Sequence, residues 1–155
     1  MRPVSPQESG VPILLATHWK TGSERQLRRA VRWADGYIGI SDSPEEFAKL
    51  TSRLRELSEE DGRVFDEMDS AFYMTVNLDA DESKAKGDAD AFIRRYYGTN
   101  FWKDTWGPFG HPDRVIARIR DYAEAGARTV IVRFASFSQE EQLGVFLEKV
   151  LPRFR

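Results

Sequence analysis

The sequence predicts an α/β domain in which four strand–helix units follow one another. Four short apolar runs each precede a segment whose apolar residues recur at helical spacing, and one extra helix lies before the fourth run. Strands that alternate with helices form parallel sheets through right-handed crossovers, so we expect parallel strands with outer helices. The chain has 155 residues. That length suits a single domain over 1–155 but is short of the roughly 200 residues of a complete eight-fold βα barrel.

An extended arm over residues 1–10 is predicted by two prolines, two serines and a glycine. The continuous apolar run at 11–16 is typical of a strand that is buried on both faces. Ser23, with Gln26 three residues later as in a capping box, predicts the start of the first helix. The Asp-Gly pair at 35–36 is expected to end that helix.

The second unit has the clearest helix start in the chain. It opens with the apolar run 37–40, the predicted second strand. Ser43 then offers a helix cap, Pro44 stands at the first helical position, and Glu46 follows three residues after the cap. Gly62 is the predicted end of the helix.

The third unit begins with residues 71–78, a strand candidate that is rich in aromatic and branched residues. Asp79 or Asp81 is expected to cap the following helix, which should carry Tyr96 inward with its other apolar residues. Residues 98–110 are predicted to form an aromatic loop.

The last part of the chain contains the extra helix and the fourth unit. His111-Pro112-Asp113 opens the extra helix and Gly126 closes it. Residues 129–134 are the fourth strand candidate. Ser138 with Glu141 predicts the cap of the last helix, and Pro152 its end.

Composition narrows the classes of function. The chain carries 23 basic and 25 acidic residues, so no strong field favours nucleic acid or anionic lipid. It has no cysteine, and its two histidines have no acidic ligand at a telling spacing, so we expect no metal site. The apolar runs are shorter than the ~20 residues of a membrane helix, and the first residues hold no apolar signal core. We therefore expect a cytoplasmic protein.

Seven sequence fragments, in order along the chain, form a recognisable pattern. They are Pro12–Ala16, Leu27–Ala30, Trp33–Tyr37, Ser43–Phe47, Tyr122–Ala127, Glu141–Leu143 and Val150–Arg153. The ordered set resembles the C-terminal half of the bacterial-luciferase-like monooxygenases, flavin- or deazaflavin-dependent enzymes built on a TIM (β/α)8 barrel. The resemblance implies that this chain corresponds to strands five to eight of that barrel with their helices.

The resemblance also implies a function. It implies an oxidoreductase that acts on a small organic substrate, either as a monooxygenase with reduced FMN and oxygen or by hydride transfer with a deazaflavin coenzyme. The alternative is a non-catalytic or truncated half-barrel that binds a flavin or another phosphate-bearing ligand, or that serves as an oligomerising partner subunit. An open flavodoxin-like sheet, with phosphate bound after the first strand, is a third interpretation.

The loop after the first strand is the candidate cofactor site. Active sites of parallel βα folds gather at the carboxyl ends of strands, and free amides at helix starts bind anions. In the resembled family this loop helps to hold the cofactor phosphate, which implies binding by Thr17, Lys20, Thr21, Gly22 and Ser23. The alternative is that Ser23 only caps the helix. His18 is a candidate acid–base group or phosphate ligand, or else an exposed loop histidine.

Four more residues are candidates for contact with a ligand. Arg133 lies near the end of the fourth strand among apolar neighbours, where a charge must be paired or face a ligand cavity. We expect it to contact an anionic substrate or the flavin, or to form an ion pair that closes the sheet. Asn77 at the end of the third strand and Trp102 and Trp106 in the aromatic loop are candidates for the substrate pocket. Simple packing is the alternative for the two indoles.

Half of a barrel would leave an inner face and two strand edges uncovered. Exposed edges and broad apolar surfaces drive association. We therefore predict a homodimer or larger oligomer, or a partner that supplies the missing half. The arginines of the first helix, at 25, 28, 29 and 32, are interpreted as a solvated surface rather than a site for RNA.

Overall fold

The computed structural model describes residues 10–102 and 105–155, so the predicted arm lies outside the described residues except for Gly10. The elements are β1 (Leu14–Ala16), α1 (Glu24–Trp33), β2 (Gly36–Gly39), α2 (Pro44–Glu60), β3 (Asp69–Leu78), α3 (Glu82–Tyr97), β4 (Phe109–Gly110), α4 (Pro112–Glu124), β5 (Thr129–Phe134) and α5 (Gln139–Val145). Contacts divide the chain into two compact units. The first unit comprises the described residues up to Ala71 together with Ala125–Thr129. The second comprises Phe72–Glu124 and Val130–Arg155. The single domain stays a prediction.

In the first unit, β1 and β2 pair in parallel as predicted. Leu14 stands opposite Gly36, and Ala16 opposite Ile38. The start of β3 continues this arrangement, because the amide of Asp69 donates to the carbonyl of Asp35 at 2.9 Å. A Cβ on Gly36 would lie 2.3 Å from the carbonyl oxygen of Asp69, so only glycine allows this close approach.

The helices of the first unit bury the stripes that their spacing predicts. The buried residues are Leu27, Ala30 and Val31 on α1, and Phe47, Leu50, Leu54 and Leu57 on α2. Tyr37 on β2 is fully buried between the rings of Phe47 and Phe65, and its hydroxyl donates to Thr51 at 2.9 Å. The capping box at the start of α2 is complete, with both Ser43 and Glu46 bonded to backbone amides. That helix starts and ends where the sequence predicts.

In the second unit, β3 is the central strand. It is buried along almost its whole length and pairs with β5, and its last two residues pair in parallel with β4. The amide of Ala135, just after β5, donates to the carbonyl of Val76 at 2.7 Å. On the helix side, Phe72 stacks on Tyr122 of α4 with ring centroids 3.6 Å apart. The fourth strand prediction is confirmed at both ends.

Five local predictions differ from the structure. The first strand covers only Leu14–Ala16 of the predicted run 11–16, and it is half-buried to exposed instead of buried on both faces. β4 lies inside the predicted aromatic loop, where two residues are too few to show a periodicity. Tyr96 is 68% exposed instead of inward, because it lies in the last turn of α3 and packs its ring on Tyr97. Ser138 makes no side-chain cap bond. Pro152 does not stop the helix, since the chain continues as a π segment (Phe146–Val150) and a 3-10 turn (Leu151–Phe154) that accepts proline near its start.

Candidate functional site

Thr17 lies at the carboxyl end of β1 with its side chain in the protein interior. The residue is fully buried, and its amide donates to the carbonyl of Ile38 at 3.0 Å. Its hydroxyl Oγ1 has no hydrogen-bond partner. A buried hydroxyl without a partner costs free energy, so it calls for a water or a ligand.

The loop after β1 is attached to the loop after β2 by one carboxylate. Asp42 is 5% exposed, and its Oδ1 accepts from the amide of Trp19 at 2.9 Å. Its Oδ2 lies 3.3 Å from Nδ1 of His18. Asp42 therefore holds the imidazole in one orientation. Asp42 is not among the residues predicted from the sequence, although an acidic residue just after the second strand of a parallel pair is a usable signal.

Lys20 is paired with Glu46 at the start of α2. The hydrogen bond between them raises the pKa of the Lys20 ammonium and lowers the pKa of the Glu46 carboxyl. Glu46 also accepts from the amide of Ser43 at 3.0 Å, as part of the capping box. The positive charge of Lys20 is thus balanced, and an incoming anion must compete with Glu46 for it.

Gly22 allows the loop to turn tightly into α1. Its amide donates to the carbonyl of His18 at 3.1 Å, and a Cβ at this position would lie 2.1 Å from the same oxygen. Ser23 caps the helix by accepting from the amide of Gln26 at 3.3 Å. Within the part of the chain that the structure describes, neither the Thr21 side chain nor the amides of Thr21 and Glu24 have a partner. The loop thus places an unpaired hydroxyl and two unpaired backbone amides next to the start of α1.

Arg133 lies in the second unit within a cluster of aromatic rings. Its guanidinium donates to the hydroxyl of Tyr97 at 2.8 Å and to that of Thr75 at 3.1 Å. The guanidinium carbon lies 4.9 Å from the ring centroid of Trp106, and between 5.5 and 5.9 Å from those of Tyr97, Tyr73 and Tyr96. Among the described residues, no carboxylate forms an ion pair with Arg133. The rings and hydroxyls hold this charge instead.

Trp106 and Trp102 form the wall of the same cluster. Their rings stack with centroids 3.7 Å apart and an angle of 8°. Trp106 is 5% exposed, and its indole Nε1 has no hydrogen-bond partner. Nε of Arg133 also has no hydrogen-bond partner. The structure therefore brings together Arg133, Trp102 and Trp106.

Asn77 has a different environment. It is almost fully buried, and its side-chain amide donates to the carbonyl of Ala135 at 2.8 Å. This bond joins the end of β3 to the segment after β5, so the Asn77 amide nitrogen serves the sheet. Contact between Asn77 and a substrate stays a prediction.

Three buried side-chain atoms of the described residues lack a hydrogen-bond partner. They are Oγ1 of Thr17, Nε1 of Trp106 and Nε of Arg133. Each belongs to a residue that the sequence analysis selects for ligand contact. Such atoms are rare in folded proteins, and each is a donor that a ligand or a water could satisfy.

Comparison with known proteins finds relatives that match about half of their own length. No family model matches the sequence. The chain is 26% identical to an F420-dependent glucose-6-phosphate dehydrogenase of Nakamurella multipartita, over 99% of this chain and 50% of that protein. It is 24% identical to a 5,10-methylenetetrahydromethanopterin reductase of Methanopyrus kandleri, over 83% of this chain and 48% of that protein. The chain is thus similar to proteins of the luciferase-like monooxygenase family. It spans about half the length of these curated relatives.

Solved structures of the luciferase-like family share the fold. A monooxygenase from Streptomyces bottropensis superposes with a TM-score of 0.73 at 19% identity, over 99% of this chain and 51% of that one. An F420-dependent secondary alcohol dehydrogenase in complex with an F420-acetone adduct gives 0.71 at 15% identity, over 96% and 50%. A riboflavin lyase with modified FMN gives 0.70 at 15% identity, over 100% and 45%. The predicted half of a TIM-barrel fold is confirmed.

A groove on the first unit does not involve the candidate loop 17–23. This groove, of about 440 Å³, runs along α1 and α2 and is lined by Arg25, Arg29 and Trp33, but by none of the predicted site residues. Over residues 10–102 and 105–155, no three His, Asp or Glu side chains cluster as metal ligands. In the same ranges, no helix is both long and apolar enough to cross a bilayer.

Proposed function

We propose that this chain forms half of a luciferase-like oxidoreductase that uses F420 or FMN to act on a small organic substrate, and that residues 17–23 hold the phosphate of the cofactor. The observation that carries the proposal is the buried hydroxyl of Thr17, which has no partner at the end of β1. This hydroxyl lies in the loop before α1, where a helix start attracts an anion.

The other groups of the loop suit a phosphate. The hydroxyl of Thr21 and the first amides of α1 supply donors at the surface, and the buried hydroxyl of Thr17 becomes a further donor once the loop opens to admit the phosphate. Lys20 adds a positive charge once a phosphate replaces Glu46 as its partner. The carboxylates of Asp42 and Glu46 are held by backbone amides, which keep them bonded while the anion binds.

The relatives favour F420 as the first cofactor to test. Two of the relatives are F420-dependent, the glucose-6-phosphate dehydrogenase of Nakamurella multipartita and the secondary alcohol dehydrogenase. The riboflavin lyase structure instead holds a modified FMN. When bound, either cofactor supplies the redox chemistry, a hydride transfer or, for reduced FMN, reaction with oxygen. The residues of this chain bind the phosphate, orient the ring and exclude water. His18, held by Asp42, is a proton donor or acceptor for the substrate in this proposal.

A fluorescence titration of the purified chain with F420 and with FMN tests the proposal. We expect saturable binding of at least one cofactor. Thr17→Val removes the unpaired hydroxyl at nearly constant volume, so it should weaken binding by about tenfold without loss of stability. Thr51→Val is the matched control, because the Thr51 hydroxyl accepts from Tyr37 and lies outside the loop. It should lower stability and leave binding unchanged.

Two results contradict the proposal. One is the absence of binding to either cofactor in a folded sample. The other is binding that Thr17→Val leaves as strong as in the unchanged chain, since the Thr17 hydroxyl would then have no part in the site.

A second candidate function is that of an oligomerising subunit. It is favoured by large apolar side chains that are exposed beside strands, at Val11 (68% exposed) and Ile13 (58% exposed) ahead of β1. Exposed apolar surface of this kind promotes association with another chain. Analytical ultracentrifugation should show a dimer or larger assembly, and Ile13→Lys should shift it toward the monomer. A monomer at all concentrations that binds no hydrophobic dye contradicts this candidate.

A further inference from the structure

We propose that Arg133 and Trp106 form a binding site for an oxyanion, a carboxylate or a phosphate ester group of the substrate. This inference deepens the proposed function and depends on it only in taking the ligand to be the substrate. It concerns residues of the second unit alone and uses none of residues 17–23.

Arg133 has unused donors. A guanidinium carries five N–H groups in a planar fork. Described residues accept two bonds from it, at Tyr97 and Thr75, and Nε is buried without a partner. The two hydroxyls hold the guanidinium in place and leave other N–H groups for a ligand. A planar fork of this kind matches a carboxylate or phosphate, which accepts two parallel bonds.

Among residues 10–102 and 105–155, no negative charge compensates the charge of Arg133. Four aromatic ring faces lie within 5.9 Å of the guanidinium, and no described carboxylate pairs with it. Aromatic faces attract a cation but carry no net charge, so they offset only part of the cost of burying the Nε–H group without an acceptor. An anion bound in this place would supply the remaining compensation.

Trp106 supplies a second donor in the same place. Its ring centroid is the one nearest to the Arg133 guanidinium, at 4.9 Å, and its Nε1 is likewise buried without a partner. Stacking on Trp102 and an edge contact with Tyr97 keep the indole from rotating. Indole and guanidinium groups are donors only. A group that satisfies both must therefore be an acceptor, and the charge of Arg133 selects an oxyanion over a neutral carbonyl.

The first experiment uses the unchanged chain. The four tryptophans give four indole N–H signals in a nitrogen–proton correlation spectrum. Titration with acetate tests for a carboxylate, and titration with inorganic phosphate tests for a phosphate group. We expect one of the anions to shift the Trp106 signal in a saturable way. No saturable shift with either anion would overturn the proposal.

Three variants identify the site. Trp106→Phe keeps an aromatic ring but removes the N–H, and Arg133→Lys keeps the charge but removes the fork. Each should weaken anion binding on the order of tenfold, read from the fluorescence of the remaining tryptophans. Arg29→Gln is the matched control, because Arg29 is an arginine of α1 that lines the surface groove. It should leave the affinity unchanged, whereas an equal loss in Arg29→Gln would show a nonspecific charge effect and overturn the site.

The outcome separates this inference from the proposed function. Anion binding is measured without a cofactor, and cofactor binding is tested with Thr17→Val. If the anion binds and neither F420 nor FMN does, the oxyanion site stands and the proposed function fails. If a cofactor binds and the Trp106 signal responds to neither anion, the oxyanion site fails alone.

Discussion

Nδ1 of His18 lies 3.3 Å from Oδ2 of Asp42, a carboxylate that also accepts from the amide of Trp19. Because Asp42 is 5% exposed, its charge depends on these donors for compensation. The two residues come from the loops after β1 and β2, which parallel pairing places at the same edge. The Asp42 side chain thus attaches the loop that we propose as the cofactor site to the loop after β2.

We expect Asp42→Asn to lower the free energy of unfolding by about 1–3 kcal/mol, because a neutral amide replaces the buried carboxylate and the charge-assisted hydrogen bonds to it are lost. Urea denaturation followed by circular dichroism measures this change. Cofactor affinity should fall as well, since the loop loses its attachment.

Asp113→Asn is the control for that substitution. His111 and Asp113 form a similar pair at 3.2 Å, but both side chains are more than half exposed. Loss of this ion pair in Asp113→Asn should change the free energy of unfolding by less than about 1 kcal/mol. Equal effects of the two substitutions would show that burial of Asp42 has no energetic consequence.

Gly22→Ala tests the tight turn into α1. The added Cβ would lie 2.1 Å from the carbonyl oxygen of His18, so the backbone of the loop must move. We expect a loss of about 1–3 kcal/mol in stability together with weaker cofactor binding. Thermal denaturation and the cofactor titration measure the two effects.

Gly87→Ala provides the comparison. Gly87 lies inside α3, and a Cβ there meets nothing within 4 Å. Alanine should stabilise the helix by about 0.5–1 kcal/mol. If Gly22→Ala were as harmless as Gly87→Ala, the loop geometry described here would be wrong.

Glu82 should contribute to stability in a pH-dependent way. Hydrogen bonds from Lys86 and Arg114 lower the pKa of its carboxyl from 4.5 to about 2. A lowered pKa in the folded state means that the stabilisation is present above pH 4.5 and is lost as the pH falls toward 2. Glu82→Gln should therefore reduce the acid sensitivity of unfolding in that window. Glu140→Gln, on the exposed first turn of α5, is the control and should leave the acid sensitivity unchanged.

The sequence predicts best where the determining contacts are local. The box at Ser43 and Glu46 and the run of β5 depend on neighbours a few residues away, and both are confirmed. β4 is defined by pairing with β3, more than thirty positions earlier in the chain, and Asp42 acts on a loop that precedes it by 23 and 24 residues. Such contacts leave no periodic trace in a sequence. Arg133 could be predicted only in part. Its apolar neighbours in the sequence indicate that the charge needs a partner, but the sequence does not indicate that aromatic rings surround it.

The caps of α2 and α5 give a paired test of local signals. Both helices follow a serine with glutamate three residues later, yet the Ser43 hydroxyl accepts from the Glu46 amide at 3.3 Å whereas Ser138 makes no such bond. Ser43→Ala should therefore lower stability by about 1 kcal/mol, and Ser138→Ala should have almost no effect. Chemical denaturation of the two variants under the same conditions measures the difference. Equal losses would mean that Ser138 caps α5 in solution, in agreement with the sequence pattern and against the structure.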